Sequence, residues 1–135
     1  MELKTAMDVS ASGLRAQSLR MRVIAENLAN ADSVAQSPGG DPYARKVVNF
    51  RAELDRSNDA DAVKVVGITE APKDFPRVYR PGSPAADAEG YVRLPNVNPL
   101  VEAADLKAAQ RSYEANLNAI EAAKTLTMRT IDLLK

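Results

Sequence analysis

The chain has 135 residues, enough for one ordinary domain, and its 18 Lys+Arg balance 18 Asp+Glu to no net charge. It contains no histidine and no cysteine, which removes the commonest metal ligands, the usual neutral-pH general base, every thiol nucleophile and any disulfide. With 45% apolar residues it is too hydrophobic for a disordered chain, and it lacks the basic excess of a general nucleic-acid binder.

All eight prolines fall between Pro38 and Pro99, and five of the six glycines between Gly39 and Gly90. This punctuation divides the chain into residues 1–34, 35–96 and 97–135, two uninterrupted ends around a broken middle. The N-terminal stretch MELKTAMDVSASGLRAQ has no continuous apolar segment and does not read as a cleavable signal. No stretch approaches the roughly 20 apolar residues that span a bilayer.

Thr5–Ala31 reads as one helix, with Thr5 as its cap and Asp8 three residues on. Met7, Leu14, Met21 and Leu28 recur every seven residues, and Leu3, Ser10, Gln17, Ile24 and Ala31 form the companion series of a coiled-coil seam. At the far end Asn98-Pro99 offers an N-cap followed by proline at the first helical position, with Glu102 and Asp105 near the positive end of the helix. From there to Leu134 neither Gly nor Pro intervenes. Leu106, Tyr113, Ile120, Thr127 and Leu134 form one seven-residue series, and Ala103, Gln110, Leu117, Lys124 and Ile131 the other. Such a helix would be about 54 Å long, against a compact diameter of roughly 30 Å for a chain of this size. A rod this long with an imperfect seam needs partners.

The middle predicts short strands at Tyr43–Phe50, Ala62–Thr69, Phe75–Arg80 and Tyr91–Leu94, with turns at Ser37-Pro38-Gly39-Gly40 and Arg80-Pro81-Gly82-Ser83-Pro84. The polar run Asp55–Asp61 reads as a loop. Its three aspartates lack the Gly and the distal Glu of an EF-hand, and the glycines at 39 and 40 are followed by no Lys-Ser/Thr, so neither is a ligand site. Arg15, Arg20 and Arg22 are interleaved with Asp8 and Glu26 and read as a solvated helix face rather than a membrane-surface one. By composition, Asn27, Asn30 and Asp32 read as ordinary C-terminal capping of the first helix. The fold expected is therefore mainly α with a small β region, its long terminal helices pairing as a coiled coil around a Pro/Gly-rich middle.

Ser10-Ala11-Ser12-Gly13-Leu14, followed by Ile24-Ala25-Glu26-Asn27-Leu28-Ala29-Asn30-Ala31-Asp32, resembles the N-terminal signature of bacterial flagellar rod and hook proteins. Gly90-Tyr91-Val92, Pro95-Asn96-Val97-Asn98 and Arg111-Ser112-Tyr113-Glu114-Ala115-Asn116 resemble a short proximal-rod member of that family, and Tyr79–Pro84 leading through Asp87-Ala88 is similar to its middle region. The resemblance implies a structural subunit of the proximal rod of the flagellar basal body, with no enzymatic activity and no cofactor or metal. Such a subunit is exported uncleaved by the flagellar type III apparatus and polymerises in the periplasm into a torque-transmitting tube around the export channel. It implies as partners other copies of the chain, other rod proteins and the export-gate and rod-adaptor components, with no nucleic acid and no membrane insertion. The packing residues it points to are Met7, Leu14, Met21, Ile24, Leu28, Leu106, Tyr113, Leu117, Ile120, Ile131 and Leu134. Asn27, Asn30, Gly90, Tyr91, Pro95, Asn96, Asn98, Tyr113, Glu114 and Asn116 carry the family motifs. The competing readings are a different rod subunit or a soluble helical adaptor, which would need a complete core within one chain.

Overall fold

The computed structural model describes residues 2–56 and 59–135. In chain order they form α1 (Leu3–Ala29), β1 (Lys46–Asp55), β2 (Ala60–Glu70), β3 (Arg77–Tyr79), β4 (Tyr91–Arg93) and α2 (Pro99–Leu133). The class is the expected one, mainly helical with a small strand region. Among the described residues no helix is long and apolar enough to cross a membrane.

Helix α2 begins as its sequence dictates. Asn98 Oδ1 accepts the N–H of Leu100 at 3.1 Å, and the Asn98 carbonyl takes the first helical bond from Glu102 N–H at 3.0 Å. Pro99, which has no N–H to satisfy, fills the first helical position. Helix α1 departs from expectation at its start. The Glu2 carbonyl accepts the N–H of Ala6 at 3.1 Å, so the helix opens at Leu3 and Thr5 lies inside it, buried, instead of capping it. The strands also shift. β1 starts three residues later than predicted and runs on through Asp55, and β2 begins at Ala60, so most of the expected loop Asp55–Asp61 is strand or turn. Ser57 and Asn58, also assigned to that loop, lie outside the described residues. β1 and β2 pair with each other; a connection of residues 56–59 is too short for a parallel crossover, so they form an antiparallel hairpin.

The chain divides into two compact units. The first comprises Met1–Met21, Val48–Gly67 and Lys107–Lys135. Here α1 and α2 lie side by side and antiparallel: Gly13 is packed on Asn116, while Leu3 and Met7 share a groove with Thr127 and Ile131. The hairpin is tied to α1 by Ser12, whose hydroxyl donates to the Val9 carbonyl at 2.6 Å and accepts the N–H of Val63 at 3.1 Å.

The second unit comprises Arg22–Val47 and Ile68–Leu106. Within it β3 and β4 form a second antiparallel ribbon, with Arg77, Val78 and Tyr79 opposite Arg93, Val92 and Tyr91. Asp87 shapes the connection between them: its Oδ1 accepts the N–H groups of Glu89 (3.0 Å) and Tyr91 (2.9 Å), and its Oδ2 the guanidinium of Arg77 (3.2 Å). These bonds, led by that from Tyr91 N–H, hold the Asp87 carboxyl below its ordinary pKa. Gly90 sits at φ +87° with a would-be Cβ 2.8 Å from the Tyr79 ring, a place no other residue fits.

The buried stripes of the two helices are built from small and polar residues. On α1 they are Thr5, Ser12, Gly13, Ala16, Val23, Ile24 and Asn27, whereas Met7, Leu14, Met21 and Leu28 stay half-buried. On α2 the series Leu106, Tyr113, Ile120 and Thr127 is half-buried as expected. Its companion is displaced by one residue: Glu102, Ala109, Asn116 and Ala123 turn inward, while Ala103, Gln110, Leu117, Lys124 and Ile131 are exposed. Close approach selects the small residues, as Gly13 against Asn116 shows, and leaves the larger apolar side chains outside the contact.

This contact makes a prediction. Alanine is ordinarily better than glycine inside a helix by about 0.5–1 kcal/mol. At Gly13 its Cβ would fall 2.7 Å from Asn116 Nδ2, so Gly13→Ala is expected to lower the urea midpoint. In an Asn116→Ala background the same change should instead raise it, by about the helix-propensity difference.

Candidate functional site

The most elaborate set of interactions lies in the second unit, around one amide. Asn27 stands in the last turn of α1 and is 1% exposed. Its side chain faces the backbone of Lys46, the first residue of β1, accepting that residue's N–H at 3.0 Å on Oδ1 and donating Nδ2–H to its carbonyl at 2.9 Å. The amide thus takes the place a neighbouring strand would occupy. Its remaining capacity is also used, since Tyr43 Oη donates to Oδ1 at 2.7 Å and Nδ2 donates to Glu102 Oε2 at 3.4 Å. An asparagine amide offers two donors and two acceptor sites, and all four are filled. The expectation of plain C-terminal capping therefore fails for Asn27. It holds for Asn30, which donates to the Glu26 carbonyl at 2.9 Å and whose carbonyl accepts Ser33 Oγ at 2.9 Å.

Glu102, in the first turn of α2, is equally buried at 1%. Its position near the positive end of the helix is not its main feature; the Arg45 guanidinium donates Nε–H to Glu102 Oε1 and reaches Asp105 at 3.6 Å. Arg45 is itself held at the backbone. Its N–H goes to Asn96 Oδ1 at 2.7 Å and its carbonyl accepts Ala71 N–H at 2.8 Å, while Asn96 Nδ2 donates to the Pro72 carbonyl at 2.8 Å. Among the described residues no buried side-chain nitrogen or oxygen lacks a partner. The cluster therefore joins the end of α1, the start of β1, the segment before α2 and the first turn of α2 through groups from four separate stretches of chain.

At its edge Lys46 Nζ meets Glu26 Oε1 at 2.6 Å and lies 5.9 Å from the centre of the Tyr43 ring. The Glu26 hydrogen bond holds the Lys46 ammonium above its ordinary pKa. Burial, reinforced by the charge of Glu26, raises the Tyr43 phenol as well.

The other motif residues have separate tasks. Gly90 supplies the positive φ of the β3–β4 connection, and Tyr91 stacks edge-on to Tyr79 at 5.4 Å beneath the Arg77 guanidinium. Pro95 is buried, Asn98 caps α2, and Asn116 donates to the Ser112 carbonyl at 2.9 Å while packing on Gly13. Tyr113 is half-buried and Glu114 exposed. Of the packing residues, Ile24 is buried, and Leu117, Ile131 and Leu134 are exposed to 38%, 45% and 83%. Sequence reasoning missed Tyr43, Arg45 and Lys46 as a site. For Glu102 a signal was present: it stands seven residues ahead of Ala109 on the stripe that turns inward.

The family model described as flagella basal body rod protein matches residues 7–35, and that described as flagellar basal body rod FlgEFG protein C-terminal matches residues 88–133. The chain is 48% identical to the flagellar basal-body rod protein FlgC of Agrobacterium fabrum, over 98% of this chain and 96% of that one. It is 41% identical to FlgC of Salmonella typhimurium over 98% of both chains, and 42% identical to FlgC of Aquifex aeolicus over 100% and 99%.

Two outcomes follow from the cluster. Arg45→Ala leaves the Glu102 carboxylate buried without its counter-charge and should cost about 3–5 kcal/mol in urea unfolding; Asn27→Ala, which frees both backbone groups of Lys46, should cost about 2–4 kcal/mol. The Tyr43 and Lys46 pKa values are both raised in the folded chain, so their contribution is fully present below the ordinary values of 10.0 and 10.5 and is lost as pH rises through the raised ones. The unfolding midpoint should therefore fall on the alkaline side of pH 10, and less steeply in Tyr43→Phe than in the unaltered chain.

Proposed function

The chain belongs to the FlgC family of flagellar basal-body rod proteins, and from that membership we propose that it is a proximal-rod subunit whose terminal helices pair as a coiled coil in the inner layer of the assembled tube. It is a structural subunit of the basal-body rod rather than an enzyme, it serves flagellar motility, and it assembles with other rod proteins. In this reading residues 1–34 and 97–135 form the inner coiled-coil layer and residues 35–96 the β-rich part outside it. The subunit leaves the cytoplasm uncleaved through the flagellar type III apparatus, polymerises in the periplasm, and meets copies of itself and the export-gate and rod-adaptor components. The resulting tube transmits torque and surrounds the export channel.

The observation that carries this reading is the apolar surface the chain leaves uncovered. On α2, Leu100, Leu117, Leu126, Met128, Ile131 and Leu133, and Leu134 just past its end, are exposed between 38% and 87%. On α1, Met7, Leu14, Met21 and Leu28 are only half-covered. The buried apolar residues of both helices are, by contrast, Ala16, Val23, Ile24, Ala109 and Ala123. A soluble adaptor would bury its large side chains; a subunit that buries small ones internally and presents large ones is built for neighbours.

The test places a charge on this surface in cells that carry the variant as their only copy. Leu117→Asp and Met128→Asp change exposed positions and should shift the stability of the free chain by no more than about 0.5 kcal/mol. They should nevertheless abolish swimming and leave isolated basal bodies without a completed rod, whereas Leu117→Met keeps both. Normal rods in both aspartate variants would remove the assembly role of this face.

A further inference from the structure

We propose that the groove between α1 and the β1–β2 hairpin receives the acidic stripe of α2 from a second copy of this chain. The proposal rests on the assembly reading above and says which two surfaces meet, both of them in the first compact unit. The groove is open, about 720 Å³ in volume, and Arg15 of α1 lines it together with Leu54, Arg56, Val63 and Lys64 of the hairpin. Ser12 fixes its shape, because the hydroxyl that accepts Val63 N–H at 3.1 Å holds the hairpin against the helix. Leu54 and Val63 are exposed to 54% and 37%, so this chain leaves the apolar part of the lining uncovered. The acids of the groove are already engaged. Glu53 meets Lys64 and Arg51, each at 3.1 Å, and Asp55 has its own interaction. Arg15 and Arg56 are exposed and enter none of the ion pairs among the described residues. The groove therefore sets two uncompensated cations beside apolar surface.

The complement stands on α2. Glu114, Leu117, Glu121, Lys124 and Met128 follow one another at intervals of three and four, which places them on one face of the helix, and all five are exposed. Glu114 and Glu121 also enter none of the ion pairs among the described residues. The stripe thus sets two free carboxylates against one ammonium, around two large apolar side chains. Among the described residues no side chain of α2 lines the groove, so the stripe of one copy is free to enter the groove of the next. That contact is heterologous, and each copy can engage two others. Seated there, Leu117 and Met128 cover Leu54 and Val63, and the carboxylates meet the guanidinium groups. An amphipathic helix in a groove takes its affinity from the apolar contact, and the charges select the partner.

The test exchanges the charges in cells that carry the variant as their only copy. Arg15→Glu with Arg56→Glu should abolish swimming and rod completion, and so should Glu114→Arg with Glu121→Arg. All four changes together restore opposite charge across the contact and should return both. A second measurement needs no charge reversal, since the chain has no cysteine. Copies carrying Arg56→Cys and copies carrying Glu121→Cys are produced together, and a short bis-maleimide is added to isolated basal bodies. It should yield a product of twice the chain mass made of this chain alone, whereas Ala115→Cys in place of Glu121→Cys should not. Reversed pairs that still swim, a folded fourfold variant without rods, or an Arg56→Cys cross-link only to a different protein would each overturn the pairing. If the reversed pairs swim while Leu117→Asp does not, the pairing falls and the assembly reading stands; normal rods in Leu117→Asp and Met128→Asp would remove both.

Discussion

A carboxylate withdrawn from water must find a counter-charge, and in this chain that constraint falls on Glu102. Its desolvation would cost several kcal/mol if unmet, and the nearest cation, Arg45, lies 57 positions earlier in sequence. Meeting the need draws in Asn96 and Ala71 to hold Arg45, and Asn27 to hold the residue beside it. The positions of β1, of the segment before α2 and of the first turn of α2 follow from one buried charge. Apolar burial could not impose this, because among the described residues the buried hydrophobic side chains of the helices are Ala16, Val23 and Ile24 on α1 and Ala109 and Ala123 on α2, of which two are larger than alanine.

The same economy explains the outside of the molecule. Small residues let two helices approach closely, but each contributes little apolar area, so such a contact is weak per residue. The large aliphatic side chains that would strengthen it are placed where only another chain can reach them. A subunit that assembles with other rod proteins requires such an exposed surface.

How much of this was legible depended on range. The helices were readable within two residues because, Gly13 and the first-position Pro99 apart, glycine and proline lie outside them, and the Asn98-Pro99 start is a local device. The inward face of α2 was missed by one residue because alanine, asparagine and glutamate carry no apolar weight in a heptad count, although they are what close packing selects. Asn27 and Asn96 were flagged by resemblance to a family, but their tasks were not, since their partners lie 19 and 51 residues away. Thr5 was misread because a backbone carbonyl, which no sequence pattern advertises, opens the helix ahead of it.

The connection between β3 and β4 carries a consequence for the order of events in folding. Asp87 is bonded to N–H groups two and four residues away and to a guanidinium ten residues away. Loops of that length close on the order of 10–100 ns, and they fix little chain in doing so. The Asn27–Glu102 bond joins groups 75 residues apart, and the entropy lost in closing a loop grows as the logarithm of its length. The Asp87 connection can therefore form before the Asn27–Glu102 contact, which must wait until the segments between Asn27 and α2 have found their places.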